Sequence, residues 1–168
     1  MAMELKTTME TTMETKKTEK RRLRKVFREL TRLGLLDSIK SVVDSGHALD
    51  KRTLYYAVKY DQPHILAYGK SKFWYCYSDK TTCHFAAKFG KTKIFTESYK
   101  CDSHVTDLDL YRTAAEHGHL EIIKSLKDCK KYYTVDKAMW DQCRSCIDQE
   151  AKKKGHLHIL DWLQQEAK

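Results

Sequence analysis

Six cysteines (Cys76, Cys83, Cys101, Cys129, Cys143, Cys146) and eight histidines are the residues of this chain best suited to chemistry. Cys101-x-x-His104 and Cys143-x-x-Cys146 together offer four zinc ligands with acceptable local spacing. The two halves lie about 40 residues apart, however, and Cys146 falls on a helix expected to be packing. Cys83-His84 suggests a nucleophile beside a base. Neighbours on a helix point about 100° apart, so these two cannot form a thiolate–imidazole pair with each other. There is no Gly-rich phosphate loop and no isolated carboxylate pair. The expectation is a protein that is not an enzyme and holds neither metal nor cofactor.

The composition limits what could position such residues. The chain has 168 residues, 41% hydrophobic, enough for one globular core without staples. A single Pro and six Gly argue for helix, because an all-β fold needs many tight turns. No run of 18 apolar residues is present, so no membrane span is expected. The polar start, Met1 to Lys6, is not followed by the apolar stretch of a signal peptide. An intracellular protein with reduced thiols is expected, in the cytoplasm and with the nucleus open to it.

The net charge of +9 is uneven. Residues 1–28 hold nine Lys/Arg against four Glu, leaving the rest only mildly basic. Thr7–Glu10 is duplicated by Thr11–Glu14 with no apolar face, which reads as a flexible leader over residues 1–22. Its basic cluster, Lys16, Lys17, Lys20, Arg21, Arg22, Arg24 and Lys25, suits a polyanion or a nuclear-targeting role. It equally suits the solvated side of a first helix, since Leu23, Val26, Phe27 and Leu30 recur at helical spacing.

A repeat organises residues 23–168. A small or apolar residue stands four positions before a turn residue in Leu30/Gly34, Ala57/Asp61, Ala86/Gly90, Ala114/Gly118 and Ala151/Gly155. The turn residues are 27, 29, 28 and 37 apart, a spacing that signals stacked helical repeats. Asp50, Asp79 and Asp107 lie 11 residues ahead of their turns, followed three later by Thr53, Thr82 and Leu110. Asp or Thr there can accept hydrogen bonds from the first free N–H groups of a helix. After each turn comes an apolar pair that opens a second helix: Ile65/Leu66, Ile94/Phe95, Ile122/Ile123 and Ile159/Leu160, with Ile39 alone in the first unit. Pro63 falls where a second helix starts, a position that tolerates it. The long last interval implies an insertion around Trp140–Cys146 that extends the first helix of its unit.

These motifs resemble ankyrin repeats. Thr81-Thr82-Cys83-His84-Phe85-Ala86-Ala87-Lys88-Phe89-Gly90 follows the family's Thr-Pro-Leu-His-x-Ala-Ala-x-x-Gly line, with Thr for Pro and Cys for Leu. Ala114–Leu126 and Gly155–Leu163 look like the second half of that repeat, and Val42–Ala48 is similar to its usual ending. The short period and missing Pro are similar to divergent ankyrin proteins of large DNA viruses and protists. The resemblance implies an all-α solenoid of about five helix–turn–helix repeats. It implies inter-repeat hydrogen bonds from His119 and His156, and a role in binding another protein, a host factor if the virus-like origin holds. The implied groove is lined by Lys51, Arg52, Tyr56, Phe85, Lys88, Thr113 and Glu116, whose first members favour an acidic partner.

The aromatic stretch with Phe73, Trp74 and Tyr75, set among lysines, falls where such repeats extend a finger. Its rings suit interface anchoring, stacking on bases, or covering the core. A different class of function, nucleic-acid binding through the leader and this finger, is the alternative. A structural or assembly role is a third. Nothing in the sequence sets the oligomeric state.

Overall fold

A computed structural model describes residues 2–72, 79–99, 108–128 and 137–166. Among these residues the fold is all-α, with no strand. The chain forms two compact units, residues 1–72 and 73–168. The aromatic stretch Phe73, Trp74 and Tyr75 lies outside the described residues, as do Cys101, His104 and Asp107.

The first unit contains α1 (Ala2–Arg32), α2 (Leu36–Asp44), α3 (Arg52–Lys59) and α4 (Pro63–Lys72). The second contains α5 (Asp79–Phe89), α6 (Thr92–Tyr99), α7 (Leu108–Glu116), α8 (Leu120–Asp128), α9 (Lys137–Lys154) and α10 (Leu157–Gln165). Consecutive helices pair as hairpins, and first helices touch the next first helix within each unit: α1 with α3, α5 with α7, α7 with α9. No helix among the described residues is long and apolar enough to cross a membrane.

The hairpins share one turn. Gly34, Asp61, Gly90, Gly118 and Gly155 all have positive φ, from 58° at Asp61 to 78° at Gly118. The residue after each turn donates its N–H to the carbonyl four positions before the turn. These bonds are Leu35→Leu30, Gln62→Ala57, Lys91→Ala86, His119→Ala114 and His156→Ala151, all 2.8–2.9 Å. This is the six-to-one bond that ends a helix through a left-handed residue. The alanines at the marker position (Ala57, Ala86, Ala114, Ala151) are fully buried, whereas Leu30 is half-buried.

The core follows the expected register. Ile39, Ile65, Ile94, Phe95, Ile122, Ile123 and Ile159 are all 0–1% exposed. Leu160 is only half-buried. Gly69 admits the α3 helix closely, since a Cβ there would stand 2.3 Å from a methyl of Leu54. The insertion before Gly155 is absorbed by α9, an 18-residue helix that turns Cys143, Ile147 and Ala151 inward at i, i+4 and i+8.

α1 begins at Ala2 and so takes in residues 2–22 of the expected leader. The stretch has no Gly or Pro and is rich in Met, Glu, Lys and Arg, all good helix formers. Thr53 and Thr82 do not cap helices: both are buried, and their hydroxyls find no hydrogen-bond partner among the described residues. Just ahead of α3, the Asp50 carboxylate accepts the Arg52 N–H at 2.9 Å. Val26 is 43% exposed, so the apolar stripe of α1 narrows to Leu23, Phe27, Leu30 and Thr31.

Candidate partner-binding groove

In the second unit the outer faces of α5 and α7 enclose an open depression of about 530 Å³. Its floor is the buried Leu110 and Thr113, and Phe85 and Thr81 form the α5 wall. Lys80, His84, Asp109, Arg112 and Glu116 surround it. The register explains this lining: Phe85 and Thr113 each lie one place before the close-packed alanine that lets α5 and α7 approach.

The rim charges are largely committed. Arg112 reaches Asp109 at 3.2 Å, and Lys154 of α9 reaches Glu116 at 3.2 Å. Hydrogen bonding from Lys154 holds the Glu116 carboxyl below its ordinary range. The Arg112 guanidinium is raised above its ordinary value chiefly by Cys146 and less by the charge of Asp109. The Thr113 hydroxyl is also taken, donating to the Asp109 carbonyl at 2.7 Å, so this residue offers a methyl to the groove.

The structure thus brings together Phe85, Thr113 and Glu116 of the expected groove residues. Lys88 is exposed on α5 but does not line the depression, being one helical turn beyond Phe85. Lys51, Arg52 and Tyr56 belong to α3 and its approach in the first unit. There Lys51 and Arg52 are exposed. Tyr56 is half-buried, stacked on Tyr60 with centroids 6.1 Å apart and edge-on to Tyr55 at 5.4 Å. In the basic cluster, Lys17, Lys20, Arg21, Arg22 and Lys25 are exposed. Arg24 binds Asp50 at 3.0 Å, and Lys16 lies within α1.

The turn side of the second unit is held by histidines. His119 Nε2 donates to the Lys88 carbonyl at 3.1 Å, and His156 Nε2 to that of Glu116 at 3.0 Å. Both carbonyls belong to the residue two before the preceding turn. His158 Nε2 donates to the Gly118 carbonyl at 2.9 Å, and in the first unit His64 Nε2 does the same to Gly34 at 3.1 Å. Burial pushes the His119 imidazole below its ordinary pKa, against the Lys88 carbonyl bond, which favours the charged form. These rings therefore hold helix ends together. Cys83 is buried in the core while His84 is exposed, which places them on different sides of α5. Among the described residues, no group of three or more His, Cys, Asp or Glu is arranged to hold a metal.

One cluster was not foreseeable by spacing. Trp140 of α9 meets Trp162 of α10 edge-on at 6.4 Å and Tyr111 of α7 at 6.0 Å. Lys127 of α8 lays its ammonium over both indoles, 5.1 and 5.6 Å from the ring centres, and pairs with Glu166. The two tryptophans are half-buried. The lysine that joins them comes from a third helix.

Comparison with known proteins returns no match: no family model, no curated protein and no solved structure matches the chain.

Proposed function

We propose that this chain is a non-enzymatic, ankyrin-like repeat module that binds a protein partner along the α5–α7 groove. The observation that carries the reading is the groove itself. Half-buried Phe85 walls a depression between two first helices, over a floor of buried Leu110 and Thr113, and charged residues edge it. Such a depression with a polar rim is the usual anatomy of a protein-binding patch. The repeated left-handed turns, the buried alanines and the His119 and His156 bonds support the ankyrin-like reading, because they occupy the positions the motif assigns them. Lys80 on the rim is exposed, while Asp109 and Glu116 are matched by Arg112 and Lys154. Among the described residues the rim charge left unmatched is positive, so the partner segment is acidic.

The test is affinity capture with the intact chain beside Phe85→Asp/Lys80→Glu, with circular dichroism verifying that the variant stays helical. A partner retained by the parent and lost by the folded variant places the site in the groove. Equal capture by both would sink the groove reading.

A further inference from the structure

We propose that one flank of α1 is a binding site for the phosphate backbone of double-stranded nucleic acid, read without regard to sequence. At the ~100° per residue of an α-helix, Lys17, Lys20, Arg21, Arg24, Lys25, Arg28 and Arg32 fall within an arc of about 140°. They extend over about 22 Å of helix at 1.5 Å per residue. The two acidic residues of this stretch, Glu19 and Glu29, lie outside that arc.

Among the described residues, two carboxylates answer these seven cations. Arg24 binds Asp50 at 3.0 Å, and Glu29 is shared between Arg28 at 3.1 Å and Arg32 at 2.8 Å. Lys17, Lys20, Arg21 and Lys25 are exposed and form no ion pair among the described residues. A row of cations recurring every three or four residues advances about 5 Å per step, and a duplex presents a phosphate about every 3.4 Å along each strand, so a row of that length meets several phosphates. A compact acidic peptide would not need a row of that length.

The same helix argues against the two nearest alternatives. Lipid binding by a surface helix requires an apolar face to bury. Here the stripe of Leu23, Phe27, Leu30 and Thr31 is turned to the core, and residues 17–22 contain no apolar side chain. Single-strand binding relies on aromatic rings that stack on bases. The one aromatic of α1 is Phe27, 1% exposed. What remains is cationic contact with a duplex backbone, the part of nucleic-acid recognition that carries no sequence information.

The experiment is a salt titration of the full chain with a fluorescent 20-base-pair DNA of arbitrary sequence, followed by anisotropy. With about five net charges engaged, log K against log salt falls with a slope of about −4 to −5. Lys17→Gln/Lys20→Gln/Arg21→Gln/Lys25→Gln reduces the slope to about −1, since each phosphate contact contributes about 0.9. Its helical content and melting temperature stay those of the parent, because all four side chains are exposed. A Phe85→Asp/Lys80→Glu variant binds the duplex as the parent does, which separates this site from the groove. Three results would overturn the proposal. They are an unchanged slope in the fourfold variant, tighter binding of an unpaired strand than of the duplex, and loss of duplex binding in competition with anionic vesicles.

Discussion

Gly118 and Gly155 have nearly the same backbone, φ 78° and 74°, yet they stand in different surroundings. A Cβ added to Gly118 would meet the His156 ring at 2.9 Å, and one added to Gly90 would meet His119 at 2.6 Å. At Gly155 it would meet nothing within 4 Å. The difference follows from order along the chain. Gly34, Gly90 and Gly118 each receive the residue that follows the next turn of their own unit, Gln62, His119 and His156, whereas the described structure places no later pair over Gly155. Left-handed conformation and close approach are therefore separate demands that one residue type satisfies together.

The largest break in that comparison comes from alanine at each glycine. Gly118→Ala should cost about 2–5 kcal/mol, combining the left-handed penalty of about 1–2 kcal/mol with steric crowding of about 1–3. The His156 ring cannot simply swing away without giving up its bond to the Glu116 carbonyl. Gly155→Ala should cost only the conformational part, about 1–2 kcal/mol. Urea denaturation of both variants measures the gap, and equal losses would show that crowding contributes nothing.

A smaller effect should come from pH, and it sharpens the role of the histidine at these junctions. The folded pKa of His119 lies below its ordinary value of 6.5, so the unfolded chain takes up the proton more readily. Its contribution to stability is present in full above pH 6.5 and is lost as the pH falls below that value. Melting temperature followed across that range should decline in the parent and decline less in His119→Gln. A parent and variant with parallel pH profiles would remove His119 from the account.

The smallest expected effect concerns Thr53, whose buried hydroxyl lacks a partner among the described residues. Thr53→Val keeps the shape and removes the orphaned hydroxyl, so stability should stay level or rise by up to about 1 kcal/mol. A loss above 1 kcal/mol in thermal unfolding would instead assign that hydroxyl a real partner. Leu110 occupies the same place in the fourth repeat and is 2% exposed, so the position already accepts an apolar side chain.

The turns and the core were readable from spacing because their causes are local. A left-handed residue after a helix, a small residue four before it and an apolar pair four after it all follow from one chain segment. Thr53 and Thr82 were misread because a cap and a core threonine share the same distance from the turn, and only packing distinguishes them. The groove was half legible: Phe85, Thr113 and Glu116 follow from register. The pairing of Glu116 with Lys154 depends on α9, a helix of another repeat, as does the contact of Arg112 with Cys146. The Lys127 cluster draws on α7, α8, α9 and α10, and no spacing within one repeat encodes it.

That cluster gives the chain an optical property. Two of its three tryptophans, Trp140 and Trp162, share one cation and one carboxylate across the last helix pairs. Indole emission responds to a nearby charge, so the fluorescence of these two indoles is a gauge of that cluster. Fraying of the last helix would separate the indoles from Lys127 and shift the emission before the remaining helices unwind. A spectrum taken alone would then overstate how much of the chain had melted, and one taken beside circular dichroism would time the loss of its end.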